Sequence, residues 1–105
     1  MRLAVSNSPE HKRYEGRVED ASGPLAAVAE YLLTDGLVVF THTEVFHGYE
    51  GQGVASRLVH DALDDVRRDG RRVLPLCPFV KSYIAKHQEY ADLVYSSRTR
   101  IGSAD

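Results

Sequence analysis

From Gly53 onward the spacing of apolar residues changes, and that change limits the folds open to the chain. Val54, Leu58, Val59, Ala62, Leu63 and Val66 recur at steps of three and four, while Arg57, Asp61, Asp64, Asp65 and Arg68 fall opposite. This period is that of an amphipathic helix with one core-facing stripe, and Gly70 stops it. Before Gly53 the pattern is different. Residues 13–18, 25–33 and 37–45 are short runs rich in Val, Leu, Tyr and Phe, separated by Gly23-Pro24 and Asp35-Gly36. Connections of a few residues suit antiparallel neighbours and leave no room for a crossover helix. Three strands in a meander are expected. Several alanines and a glutamate keep a helical reading of 25–33 open, and residues 1–7 are candidates for an edge strand.

Beyond the helix, residues 72–76 form a short apolar run that ends at Cys77-Pro78. Residues 79–87 then resume a helical pattern with Phe79, Val80, Tyr83 and Ile84 as the apolar set. A strand, a helix and a further strand in one sheet make a parallel pair through a right-handed crossover. The expected fold class is therefore α/β (α+β): an antiparallel meander joined to a βαβ unit, with a C-terminal helix. One domain is expected over 1–95, with 96–105, polar and small, as a flexible tail. Of 105 residues, 43% are hydrophobic, enough to bury one core and too many for a compositionally disordered chain. The net charge is -2 and no run of lysines or arginines occurs, so nucleic acid is not an expected partner. Cys77 is the sole cysteine and cannot form an internal disulfide, and no signal peptide or membrane-length apolar run is present. The expected location is cytoplasmic, with no membrane partner.

Chemistry concentrates at Glu50-Gly51-Gln52-Gly53-Val54-Ala55, between the last meander strand and the helix. Glycines there permit close backbone approach, and a helix start offers unpaired N–H groups at a positive dipole end. Such a turn can hold a pyrophosphate, and a plain glycine turn explains the same residues equally well. No Gly-Lys-Ser/Thr follows, and Ser56 stands where a dinucleotide fingerprint has its third glycine. Arg57, in the first helical turn, is either a phosphate contact or a solvated arginine. His42 and Glu44, two apart in a strand, share a face, where a water bridging them could help remove a proton from an ammonium group. Two polar residues on a half-exposed strand are the alternative. Cys77, just before a proline-started helix, is either a small buried hydrophobe or a reactive thiol served by His42 and Glu44. His11, His47 and His60 have weaker claims, no spacing makes a metal site, and Tyr31, Phe40, Tyr83 and Tyr90 suit packing.

The segment from Glu50 to Ala55 resembles the pyrophosphate loop of the GNAT superfamily of acetyl-CoA-dependent N-acetyltransferases. That loop has the form Gln/Arg-x-x-Gly-x-Gly/Ala, matched at Gly53 and Ala55 and departed from at Glu50. His42-Thr43-Glu44-Val45 before the loop, and Leu76-Cys77-Pro78-Phe79 followed by Tyr83 and His87, extend the resemblance to a compact GNAT-like subfamily. It runs from roughly Tyr14 to Val94. The resemblance implies a truncated fold, because the chain has no room for the two helices usual between the first two strands or for two final strands. It also implies acetyl-CoA as cosubstrate, held around Val45, Phe46, Gly51, Gln52, Gly53, Val54, Ala55 and Arg57, with N–H groups near Val45 and Phe46 polarising the thioester carbonyl. A primary amine would attack directly in a ternary complex, with His42 and Glu44 as candidate bases. Tyr83, Cys77 or water would protonate the departing thiolate; the family's tyrosine position falls on Ile84, beside Tyr83. Two alternatives stay open: a non-catalytic CoA-binding or interaction module, and a Cys77-dependent acyl transferase or thioester hydrolase.

Overall fold

The computed structural model describes residues 2–96; apart from Ser96, the tail expected over 96–105 lies outside the described residues. Among them are strands β1 (Leu3–Ser8), β2 (Arg13–Val18), β3 (Leu25–Thr34), β4 (Leu37–Val45) and β5 (Arg72–Pro75), with helices α1 (Val54–Arg68) and α2 (Pro78–Lys86). The strands form one sheet in chain order. β1 to β4 are an antiparallel meander, and β5 lies parallel to β4 after the α1 crossover. The expected α/β architecture is present. Short 3-10 helices at Pro9–His11 and Gln88–Leu93 were not expected, since neither is long enough to display a period. The first of them, with Lys12, makes up the connection between β1 and β2, where the two usual helices were expected to be missing.

β3 is a strand despite its alanines. It is paired on both edges, and Ala26, Ala27 and Ala29 have no exposed surface. Small side chains let α1 come close to the sheet, and pairing overrides alanine's helical preference. The α1 stripe from Val54 to Val66 packs on Tyr14, Ala27, Ala29, Tyr31, Val38, Phe40 and Val73, and α2 adds Val80, Tyr83 and Ile84 to the same core. Two buried tyrosines fasten other elements to the polar flank of α1: the Tyr14 hydroxyl donates to Asp65 and the Tyr90 hydroxyl to Asp64, each at 2.7 Å.

A bulge in β4 decides which residues face the helices. Glu30 lies opposite His42 and Tyr31 opposite Phe40, so Thr41 is an extra residue on the β4 side. Val38 and Phe40 are in the core. Strict alternation would carry His42 and Glu44 onto that same face, and the extra residue reverses the phase. Thr43 and Val45 therefore turn toward the helices. His42 and Glu44 turn to the other face, together with Val28 and Glu30 and, through the β2 register, Arg13 and Glu15. Glu15 is buried there between Arg13 at 2.9 Å and Arg17 at 3.3 Å. Burial alone would raise its carboxyl pKa, but the two arginine hydrogen bonds outweigh it and hold the group below its ordinary value. Among the described residues no helix is long and apolar enough to cross a membrane.

Candidate active site

The turn between β4 and α1 is built by glycines in left-handed conformation. Gly48, Gly51 and Gly53 have φ of 97°, 74° and 76°, a region in which a side chain is strained. A β-carbon at Gly51 or Gly53 would meet nothing within 4 Å, so the space beside both is open. Gly53 is the N-cap of α1 and no side chain caps the helix. The first helical bond runs from the Arg57 N–H to the Gly53 carbonyl at 3.1 Å, which leaves the N–H groups of Val54, Ala55 and Ser56 without intrahelical partners. Val54 is buried and anchors this start in the core. Gln52 reaches back to the Gly48 carbonyl at 3.3 Å. Glu50, the departure from the family loop, also folds back: its carboxylate accepts the Gly48 N–H at 2.8 Å. An anion fits this turn, with backbone donors at an uncapped helix start and open room for approach.

One strand further on, β4 and β5 part. Their pairing ends at Phe40 with Pro75, and the Cys77 N–H makes a last bond to the Phe40 carbonyl at 2.9 Å. β4 continues past this point to Val45, and among the described residues no strand pairs with that edge. The Phe46 N–H donates to the Ala26 carbonyl at 2.9 Å, so it is committed to β3 and differs from the expectation that it could polarise a ligand. By the alternation of backbone groups along a strand, the Thr43 and Val45 N–H groups face the opening instead. Cys77 is buried at the N-terminus of α2, and its Sγ lies 3.3 Å from Thr43 Oγ1. On the outer face His42 Nε2 and Glu44 Oε1 are 3.4 Å apart, in direct contact where a water bridge was expected, with about half of each side chain exposed.

A third feature is an open cleft of about 440 Å³ lined by Ser56, Arg57, His60, Asp61, Tyr83 and His87. Tyr83 stacks on His87 with ring centroids 3.9 Å apart. Burial, then the charges of Glu89, Asp64 and Asp61, raise its phenol pKa, so it carries its proton at neutral pH. Arg57 lies at the cleft and is paired with Asp61 at 3.0 Å. His60, Asp61 and Asp64 each bring one ligand atom within 4.8 Å of the others, but Arg57 and Tyr90 already donate to the two carboxylates.

The family model of GCN5-related N-acetyltransferases matches residues 13–93. The chain belongs to that family. A GCN5-like candidate N-acetyltransferase from Staphylococcus aureus, solved by NMR, has the same fold at a TM-score of 0.65 and 21% identity, over 90% of this chain and 89% of that one. No curated protein matches this chain. In this GCN5-related N-acetyltransferase the candidate site is the parting of β4 and β5 beyond Phe40. Of the residues singled out from sequence, it gathers Val45, Cys77, His42 and Glu44. It leaves Tyr83 in the cleft between α1 and α2 and Phe46 paired with β3. Sequence reasoning missed Thr43, which touches Cys77, and Glu30, which faces His42. Only a cross-strand register reveals either.

Proposed function

We propose that this member of the family transfers an acetyl group from acetyl-CoA to a primary amine by direct attack. The observation that carries the reading is the unpaired edge of β4 beyond Phe40, which opens onto the side chains of Cys77 and Thr43 and lies near an uncapped helix start. Acetyl-CoA, when bound, supplies an activated thioester whose acetyl carbon forms a bond to nitrogen while its bond to sulfur breaks. The Gly51 to Gly53 turn and the N–H groups of Val54, Ala55 and Ser56 hold the pyrophosphate, with Arg57 beside them. The Val45 N–H donates to the thioester carbonyl oxygen, where negative charge develops. Glu44, oriented by His42, takes the proton from the incoming ammonium so that a neutral amine attacks. The thiolate regains a proton from Cys77 or water, since Tyr83 lies in the cleft between α1 and α2.

Gly53→Val tests the binding half of this reading. Its left-handed φ strains any β-branched residue, and the new side chain fills the open approach to the turn. Calorimetry should show acetyl-CoA binding weakened at least about tenfold, a loss of roughly 1.4 kcal/mol, in a variant whose circular dichroism is unchanged. Wild-type affinity in that folded variant would remove the turn from the site. The rival reading, a binding module without catalysis, is favoured by the short connection between β1 and β2, Pro9 to Lys12, which leaves the acceptor side without walls. Binding of acetyl-CoA with no transfer to any amine would favour it.

A further inference from the structure

We propose that Leu76 is a specificity-determining residue for the acceptor, and that the acceptor is a primary amine carried on an unbranched aliphatic stem. This rests on the acetyl-transfer reading above. Leu76 is 61% exposed, more than Leu32, Leu33 or Phe79, the other exposed large apolar residues among those described. Its position gives it a use that a scattered surface leucine lacks. It is the first residue after β5 ends and the last before Cys77. Cys77 is fixed on the helix side: its N–H is bonded to Phe40, its sulfur touches Thr43, and only 3% of it is exposed. The chain turns tightly at Pro75, where the Leu76 N–H donates to the Leu74 carbonyl at 3.2 Å, and the contrast between buried Cys77 and exposed Leu76 puts the Leu76 side chain on the side away from the core. That is the face of His42 and Glu44. Leu76 therefore borders from the β5 side the opening that His42 and Glu44 border from β4.

Charge on the same face narrows the class. Glu30 lies directly across from His42 and Arg13 directly across from Glu30. Arg13 and Arg17 both give their guanidinium groups to Glu15, so neither is spent on Glu30 or Glu44. An acceptor with a carboxylate next to its amine, such as a free α-amino acid, would bring that anion beside two carboxylates. An ammonium group is attracted by the same pair. With nitrogen at Glu44 and His42, the first carbons of the acceptor cross the opening and lose water against Leu76. Alkylamines, aliphatic diamines and lysine side chains share this chemistry.

The test is kcat/KM for acetyl transfer to the n-alkylamines from methylamine to hexylamine, which differ little in basicity. The expected rise is about two- to fourfold per methylene over the first few carbons, with 6-aminohexanoate poorer than hexylamine. Leu76→Ser should flatten the rise and Leu76→Met should restore most of it. Both substitutions sit at an exposed position, and circular dichroism confirms folding. 1,5-Diaminopentane and a lysine blocked at both ends separate a free diamine from a lysine side chain as the preferred source. Transfer that ignores stem length, or a full rise retained by Leu76→Ser, overturns the inference and leaves acetyl transfer standing. Absence of transfer to every amine, by protein that binds acetyl-CoA, overturns the transferase reading and this inference with it.

Discussion

Glu44 projects into solvent for half its surface, yet its carboxylate meets the ring of His42 on a face that the helices do not cover. A base there is useful while the acceptor arrives protonated. Glu44→Gln keeps the shape and removes the proton acceptor, so turnover should fall about 100-fold well below the acceptor's pKa. Above that pKa the amine arrives neutral and the loss should shrink. Initial rates between pH 7 and pH 11 check this: an equal loss at every pH marks a structural role, and no loss leaves His42 as the base to examine. The pairing of His42 with Glu44 was legible because two residues apart in a strand always share a face. Glu30 and Thr43 were not, because their places follow from which residue of the next element lies opposite. Cys77 was legible as a choice between a buried and a reactive sulfur. The structure buries it against Thr43, where it shapes the inner end of the opening.

The element that most alters the site is the β4 bulge. Deleting Thr41 places His42 directly after the inward-facing Phe40, so plain alternation keeps His42 and Glu44 on the outer face and Thr43 and Val45 opposite Ala29 and Ala27. No polar side chain then moves onto the apolar face, where each would cost roughly 1 to 3 kcal/mol, so urea unfolding of the deletion should show little loss. Thr41→Val keeps the extra residue and removes only a long side-chain bond, 3.4 Å to the Glu30 carbonyl, so it should cost less than about 1 kcal/mol. A loss of several kcal/mol in the deletion would show that Thr41 is not the residue that sets the phase of the strand. Strand limits at 13–18 and 37–45 and the α1 stripe were readable from period and turn residues. The bulge was not, since threonine is an ordinary strand residue and an inserted position leaves no trace in composition. The same holds for Gln88–Leu93, whose single turns carry no period.

At the scale of the molecule, two long-range bonds tie β2 and the C-terminal segment to adjacent residues, Asp65 and Asp64, on the polar flank of α1. Tyr14 and Asp65 are 51 residues apart in the chain and Tyr90 and Asp64 are 26 apart, so neither pairing could be read from local sequence. Burial is the largest cause that raises the Tyr14 pKa, followed by the hydrogen bond and charge of Asp65. Burial and then Asp64 do the same for Tyr90. Both phenols therefore keep their protons well above the ordinary tyrosine value of 10.0. An unfolded chain releases these protons near that value while the folded one retains them, so the folded state binds more protons above it. By linkage, stability contributed by the two tyrosines is intact below about pH 10 and declines as pH rises beyond it. Thermal melts between pH 8 and pH 11.5 should show a flat Tm giving way to a fall above pH 10. Tyr14→Phe and Tyr90→Phe should each melt lower at pH 8, by the loss of one hydrogen bond worth roughly 1 to 3 kcal/mol to a carboxylate. Each should also show a shallower alkaline fall than the wild type, since one proton-retaining group is gone. An alkaline slope left unchanged in both variants would assign the fall to other groups and leave the two bonds as neutral-pH fasteners only.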